Sequence, residues 1–156
     1  RRRGASQRSR AGRPRLIAYV ETSAFVKLLL PEPGTVDVAE AWLGADRLIS
    51  SPLLYPEARA AIGRARRLER LTPRQHGIAR HRVDALWAAV DRIELTEKLA
   101  RRAGELAEQH RLRAYDAVHL ASLEAVGDAE TVLVSADEEL LEAAASIGFA
   151  TLLPTR

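Results

Sequence analysis

Four acidic residues stand out by their position relative to apolar runs. Glu21 directly follows the run Leu16–Val20, and Asp137 lies two residues past a run ending near Ser135. Asp116 opens a helical stretch, and Glu57 falls in the first turns of another. Carboxylates brought to one place repel each other, so gathering them is costly without a cation. Taken singly, an acid at a helix N-terminus is more often a cap or dipole partner, worth about 0.3–1 kcal/mol. The choice between these roles depends on whether the surrounding elements converge.

The chain alternates short apolar runs with longer helical stretches from Leu16 onward. Leu16–Val20 reads as a fully buried strand, and Thr22 or Ser23 can cap a helix through Phe25–Leu30 that Pro31 and Pro33 end. Thr35 is placed to cap a helix over 36–43 closed by Gly44, and Arg47–Ser50 reads as a second strand. Ser51–Pro52 looks like a cap and first helical residue. Pro56 argues instead for a kink, or for a start near Tyr55. Thr72–Pro73 repeats that signal for a helix to about Val90, forming a helical hairpin with the one before it. Arg92–Leu95 is a weak strand, Thr96 caps a helix to about His110, and Tyr115–Ala125 is a further helix. Thr131–Ser135 is rich in β-branched residues, Asp137–Ile147 is helical up to Gly148, and Phe149–Leu153 is a last strand.

Strands alternating with helices predict an α/β fold, a central parallel sheet flanked by helices. In such sheets ligands sit beyond the carboxyl ends of the strands. Glu21 and Asp137 follow strands, and Asp116 and Glu57 begin helices, so all four are placed to converge at that end.

Composition narrows the class. At 156 residues and 47% apolar, the chain fits one domain with its own core. Cysteine is absent, which removes disulfides and thiolate metal sites and suits a reducing compartment. No apolar run approaches the roughly 18–20 residues needed to span a bilayer, and residues 4–15 are polar or small rather than signal-like. The expectation is a soluble, cytoplasmic protein. The net charge of +3 misleads, because Arg1, Arg2, Arg3, Arg8, Arg10, Arg13 and Arg15 supply seven of the 24 basic residues. The remainder has 17 basic against 21 acidic residues, a charge near −4. Residues 1–14 read as a basic disordered tail, able to hold RNA by charge or to have no role, and 15–156 as the folded domain.

The segments YVETSAFVKLL (19–29), SPLLYPEARAAI (51–62), RAYDAVHLASLEA (113–125) and VLVSADEELLEAA (132–144) resemble the four acid-bearing motifs of PIN-domain proteins, in order and at similar spacing. Among these the chain most resembles the VapC toxins of bacterial toxin–antitoxin pairs. The resemblance covers about residues 16–154. It implies a PIN-like three-layer sandwich, with Glu21, Glu57, Asp116 and Asp137 as ligands of Mg²⁺ or Mn²⁺ or as acids just behind them. It also implies a metal-dependent endoribonuclease, a homodimer and a cognate VapB-type antitoxin. Hard cations do favour such oxygen donors. One position departs from the pattern: the family usually has Asp where this chain has Glu21, and the extra methylene moves the carboxylate by about 1.5 Å.

Other residues have less definite roles. Ser23 and Ser135 resemble the hydroxyls that support the acids in the family, though Ser23 could simply cap a helix. Arg113 could steady a phosphate or be an exposed flanking residue. His119, set among Ala, Val and Leu, reads as a core or polar-edge residue in preference to a ligand. Glu138 could add a fifth carboxylate or only favour its helix's first turn. The eight arginines between Arg59 and Arg82 face one acid there, Glu69. They could form a solvated face, an RNA grip or a protein-binding arm.

Three functions compete. The first is an active ribonuclease restrained by an antitoxin. The second is the same fold with a degenerate site, marked by Glu21, that binds RNA or a protein without cutting. The third, a phosphotransfer domain, is disfavoured by Glu-Thr-Ser where Asp-x-Asp is expected and by the lack of a Gly-rich phosphate loop.

Overall fold

The computed structural model describes residues 15–126 and 130–155. The basic tail expected over 1–14 lies outside the described residues. Five strands, β1 (Ile17–Val20), β2 (Arg47–Ser50), β3 (Asp91–Arg92), β4 (Thr131–Val134) and β5 (Ala150–Leu152), form one sheet in the order β3-β2-β1-β4-β5. Every pairing is parallel. The strand order reverses at β1, flanked by β2 and β4, which is where parallel α/β sheets open a crevice for ligands.

Both faces of the sheet are covered, giving three layers. Ile17 and Tyr19 of β1 point into one core, with Leu133 of β4 and helices α5 (Glu97–His110), α6 (Ala114–Val126) and α7 (Glu138–Ser146). Ala18 and Val20 point into the other, with Val134 and helices α1 (Thr22–Lys27), α2 (Thr35–Gly44), α3 (Leu54–Arg67) and α4 (Pro73–Trp87). This period-two alternation with both faces apolar explains why Leu16–Val20 reads as an unbroken hydrophobic run.

Helix starts follow the predicted chemistry at some points and depart from it at others. Thr72 and Gln75 form a full capping box at the start of α4, and Thr96 caps α5. At α1 the cap is neither Thr22 nor Ser23 but Glu21, whose carboxylate accepts the Ser23 N–H. Thr35 does not cap α2. Gly34 occupies that position with a left-handed backbone, while the Thr35 hydroxyl donates to the carbonyls of Lys27 and Glu32. Helix α3 begins at Leu54, near the later of the two predicted starts, and Ser51 holds the preceding turn by accepting the Leu53 N–H. The strand expected over Arg92–Leu95 is instead the two-residue β3, Asp91–Arg92, because only these residues pair with β2.

Candidate active site at the carboxyl edge of the sheet

Each acid reaches the sheet's carboxyl edge on a different element. Glu21 is the first residue beyond β1, and its N–H donates to the Val134 carbonyl at 3.0 Å, extending the β1–β4 ladder. The residue is 5% exposed. One oxygen, Oε2, accepts from the Ser23 N–H, the Ser23 hydroxyl and, at 2.8 Å, the Ser135 hydroxyl. These donors satisfy an otherwise costly buried charge. Ser23 also accepts the Ala136 N–H, and Ser135 accepts the Asp137 N–H, so the two serines lace the ends of β1 and β4 together.

Asp137 caps α7 by accepting the Leu140 N–H. Asp116 lies in the first turn of α6, with a side chain 13% exposed. Arg113 joins them: its Nε donates to Asp116 at 2.7 Å and its Nη2 to Asp137 at 2.9 Å. These contacts, led by the bond to Asp116, hold the guanidinium pKa above its ordinary value. Arg113 itself is mostly exposed, so its free edge faces solvent.

Glu57 lies in the first turn of α3. Its Oε2 accepts the Thr22 hydroxyl at 2.6 Å and lies 2.9 Å from His119 Nε2. Burial is the largest single influence on this carboxyl and opposes ionisation, but the bonds from His119 and Thr22 and the nearby positive charge together outweigh it. The result is a pKa below the usual carboxylate range. His119 is no polar-edge residue: it is 1% exposed, and its Nδ1 lies 2.9 Å from the Tyr19 hydroxyl.

The structure thus brings Glu21, Ser23 and Ser135 into one hydrogen-bonded group, Asp116, Asp137 and Arg113 into a second, and Glu57 with Thr22 and His119 into a third. Thr22, adjacent to Glu21 in the chain, ties the first group to the third. Glu138 is exposed in the first turn of α7 and has no place in these groups. Sequence reasoning missed the contribution of Thr22 and Tyr19. The available signal for Tyr19 was a hydroxyl-bearing residue at an inward-facing strand position, two residues before the first acid.

The donor chemistry suits a hard divalent ion, since carboxylate and hydroxyl oxygens dominate. A guanidinium already bridges two of the carboxylates. Among the described residues, no three His, Asp or Glu side chains form a ready-made metal cluster in this arrangement. Arg113 stands as the counter-charge instead.

A parallel sheet in this order, with acids from four segments at its carboxyl edge, is the arrangement that the sequence resemblance implies. The family model for the PIN domain matches residues 18–146, and the chain belongs to the PIN-domain family, among its VapC ribonucleases. It is 42% identical over 132 residues to Ribonuclease VapC45 and to Ribonuclease VapC49, both of Mycobacterium tuberculosis, covering 85% of this chain and 92% of each relative. Ribonuclease VapC47 of the same species is 32% identical over 140 residues, covering 87% and 96%. The crystal structure of PAE2754 from Pyrobaculum aerophilum superposes with a TM-score of 0.65 at 20% identity, over 88% of this chain and 92% of that one. This last likeness concerns the fold.

Proposed function

We propose that this protein is a divalent-metal-dependent endoribonuclease that hydrolyses RNA phosphodiesters and acts as the toxin of a VapBC-type pair. One observation carries the reading: acids from four segments lie along the carboxyl edge of one parallel sheet, in a chain 42% identical to proteins named ribonucleases. Glu21, Glu57, Asp116 and Asp137 are the residues that would hold Mg²⁺ or Mn²⁺. A divalent ion there would supply Lewis acidity, making water a better nucleophile and offsetting charge on the attacked phosphate.

The chain's own residues do the positioning. Ser23 and Ser135 hold Glu21 against the sheet edge, and Thr22 holds Glu57. Arg113 keeps Asp116 and Asp137 together, and its exposed donors suit phosphate oxygens. The hairpin of α3 and α4 exposes Arg64, Arg67, Arg74, Arg80 and Arg82, a set of positive charges suited to the phosphate backbone of RNA. A homodimer and a VapB-type antitoxin covering the acidic edge complete the proposal. No helix among the described residues is long and apolar enough to cross a membrane.

Cleavage of defined RNAs by the purified protein in Mg²⁺, Mn²⁺ or EDTA, with Asp116→Asn as control, tests the reading. Metal-dependent cleavage that the substitution abolishes supports it. A folded protein inactive with both metals overturns it.

A second reading rests on Glu21. Its Oε2 is committed to three donors, two from Ser23 and one from Ser135, so the longer side chain is used in tying down the sheet edge. A site impaired in this way would bind RNA or a protein partner without cutting. Glu21→Asp separates the two: a large gain of cleavage marks a competent scaffold held back by Glu21, and no gain from an inactive baseline favours binding alone.

A further inference from the structure

We infer that Tyr19 and His119 form a buried positioning relay that fixes which nitrogen of His119 carries its proton and so orients Glu57. The catalytic consequence rests on the function proposed above; the proton arrangement stands apart from it.

The argument begins at the backbone. The Ser51 N–H can only donate, and it meets the Tyr19 hydroxyl oxygen at 3.1 Å. The phenol is therefore an acceptor on that side, leaving its own proton to be placed. His119 Nδ1 lies 2.9 Å away, and both side chains are excluded from water, at 0% and 1% exposure. A phenol donating to Nδ1 requires the imidazole proton to sit on Nε2. That atom faces Glu57 Oε2 at 2.9 Å and the Thr22 oxygen at 3.3 Å. Thr22 spends its own proton on Glu57 at 2.6 Å. Each donor then runs in one direction, from Ser51 through Tyr19 and His119 to the Glu57 carboxylate.

The nearby hydroxyls fit this direction. Ser50 and Ser122 also reach the Tyr19 hydroxyl, but they spend their own protons on the Val20 and Val118 carbonyls, both at 2.7 Å, so the His119 tautomer is set from the Glu57 side. With the opposite tautomer, an Nε2 lone pair would point at a carboxylate oxygen, which is repulsive. Two elements far apart in sequence, β1 and α6, therefore combine to aim a side chain on α3. Outer partners of this kind commonly set the orientation of a site carboxylate or imidazole.

The test begins with the full chain, ¹⁵N-labelled and free of metal. Two-bond ¹H–¹⁵N correlation spectra at neutral pH should show His119 protonated on Nε2 and bare on Nδ1. A proton on Nδ1, alone or in a doubly protonated ring, overturns the relay whether or not the protein cuts RNA.

The functional arm compares Tyr19→Phe, His119→Leu and His119→Gln, each checked for a native thermal transition. Tyr19→Phe should lower kcat by about tenfold with KM little changed, and His119→Leu by more. His119→Gln, whose amide N–H reaches the Nε2 position, should recover to within about threefold of wild type. Mn²⁺ affinity, measured by calorimetry, should weaken in the same order. Equal losses for Leu and Gln, or a loss in KM alone, would show that the ring only fills space. A wild-type protein that cuts nothing defeats the proposed function, while the spectra and the Mn²⁺ series still decide the relay.

Discussion

Arg113 and Asp137, 24 positions apart, meet at 2.9 Å across the carboxyl edge of the sheet. The same guanidinium reaches Asp116 at 2.7 Å, so one exposed side chain supplies positive charge to two acids on different helices, α6 and α7. A resident cation and an incoming metal ion would compete for the same oxygens.

Arg113→Ala should therefore tighten Mn²⁺ binding by roughly threefold to tenfold, since each exposed ion pair is worth about 0–1 kcal/mol. Thermal stability should change little. Titration calorimetry reads the affinity directly, and weaker binding would mean that Arg113 organises the acids for the metal instead of competing with it.

Asp116→Asn removes one charge from a crowded acidic edge while keeping the shape of the side chain. RNA cleavage should fall by more than about a hundredfold, or about 2.7 kcal/mol in the activation barrier. The melting temperature should change little, because the ion pair lost with the exposed Arg113 is offset by one fewer negative charge at the edge. Activity and Tm moving down together would indicate a structural role.

Arg102 on α5 grips Glu124 on α6 with both donors, at 2.6 and 2.8 Å, and thereby braces the helix that carries Asp116 and His119. The bond from Arg102 holds the Glu124 carboxyl below its ordinary range. A carboxyl depressed in the folded state stabilises above its unfolded pKa, and that stability is lost as pH falls through the lower folded value. Wild type should thus melt a few degrees above Glu124→Gln at neutral pH, with the gap closing below about pH 4. Melting curves across pH 3–7 check this, and a gap independent of pH would assign the difference to packing.

Gly34 turns the chain into α2 at a φ of +93°, and a Cβ there would lie 2.7 Å from the Pro154 carbonyl oxygen. The backbone conformation and the close approach each penalise a side chain. Gly34→Ala should cost at least about 2 kcal/mol in urea unfolding. A neutral result would mean that the Pro154 segment moves freely away from α2.

Much of the fold was legible because its signals are local. Arg47–Ser50 is a strand with the predicted bounds. Thr72 followed by Pro73 and Gln75 marks the start of α4, and Thr96 that of α5, because hydroxyl caps act within three residues of chain. Misreadings arose where a residue had a stronger partner elsewhere. Thr35 is drawn to the carbonyls of Lys27 and Glu32, and Thr22 to Glu57, 35 positions away, so neither caps its helix.

The sequence by itself determined the α/β class, the order of the elements and the placing of Glu21, Glu57, Asp116 and Asp137 at strand ends and helix starts. Hydrophobic periodicity and capping chemistry are written over a few neighbouring residues. Which acid faces which donor was decided only by the tertiary structure. The three-part grouping around Glu21, Arg113 and His119 depends on contacts between residues up to 114 positions apart. His119 shows the reason most clearly: a histidine in an apolar helix has the same local signature whether it fills space or links Tyr19 to Glu57. Only the approach of β1 and α3 to that helix, set by packing on both faces of the sheet, makes the distinction.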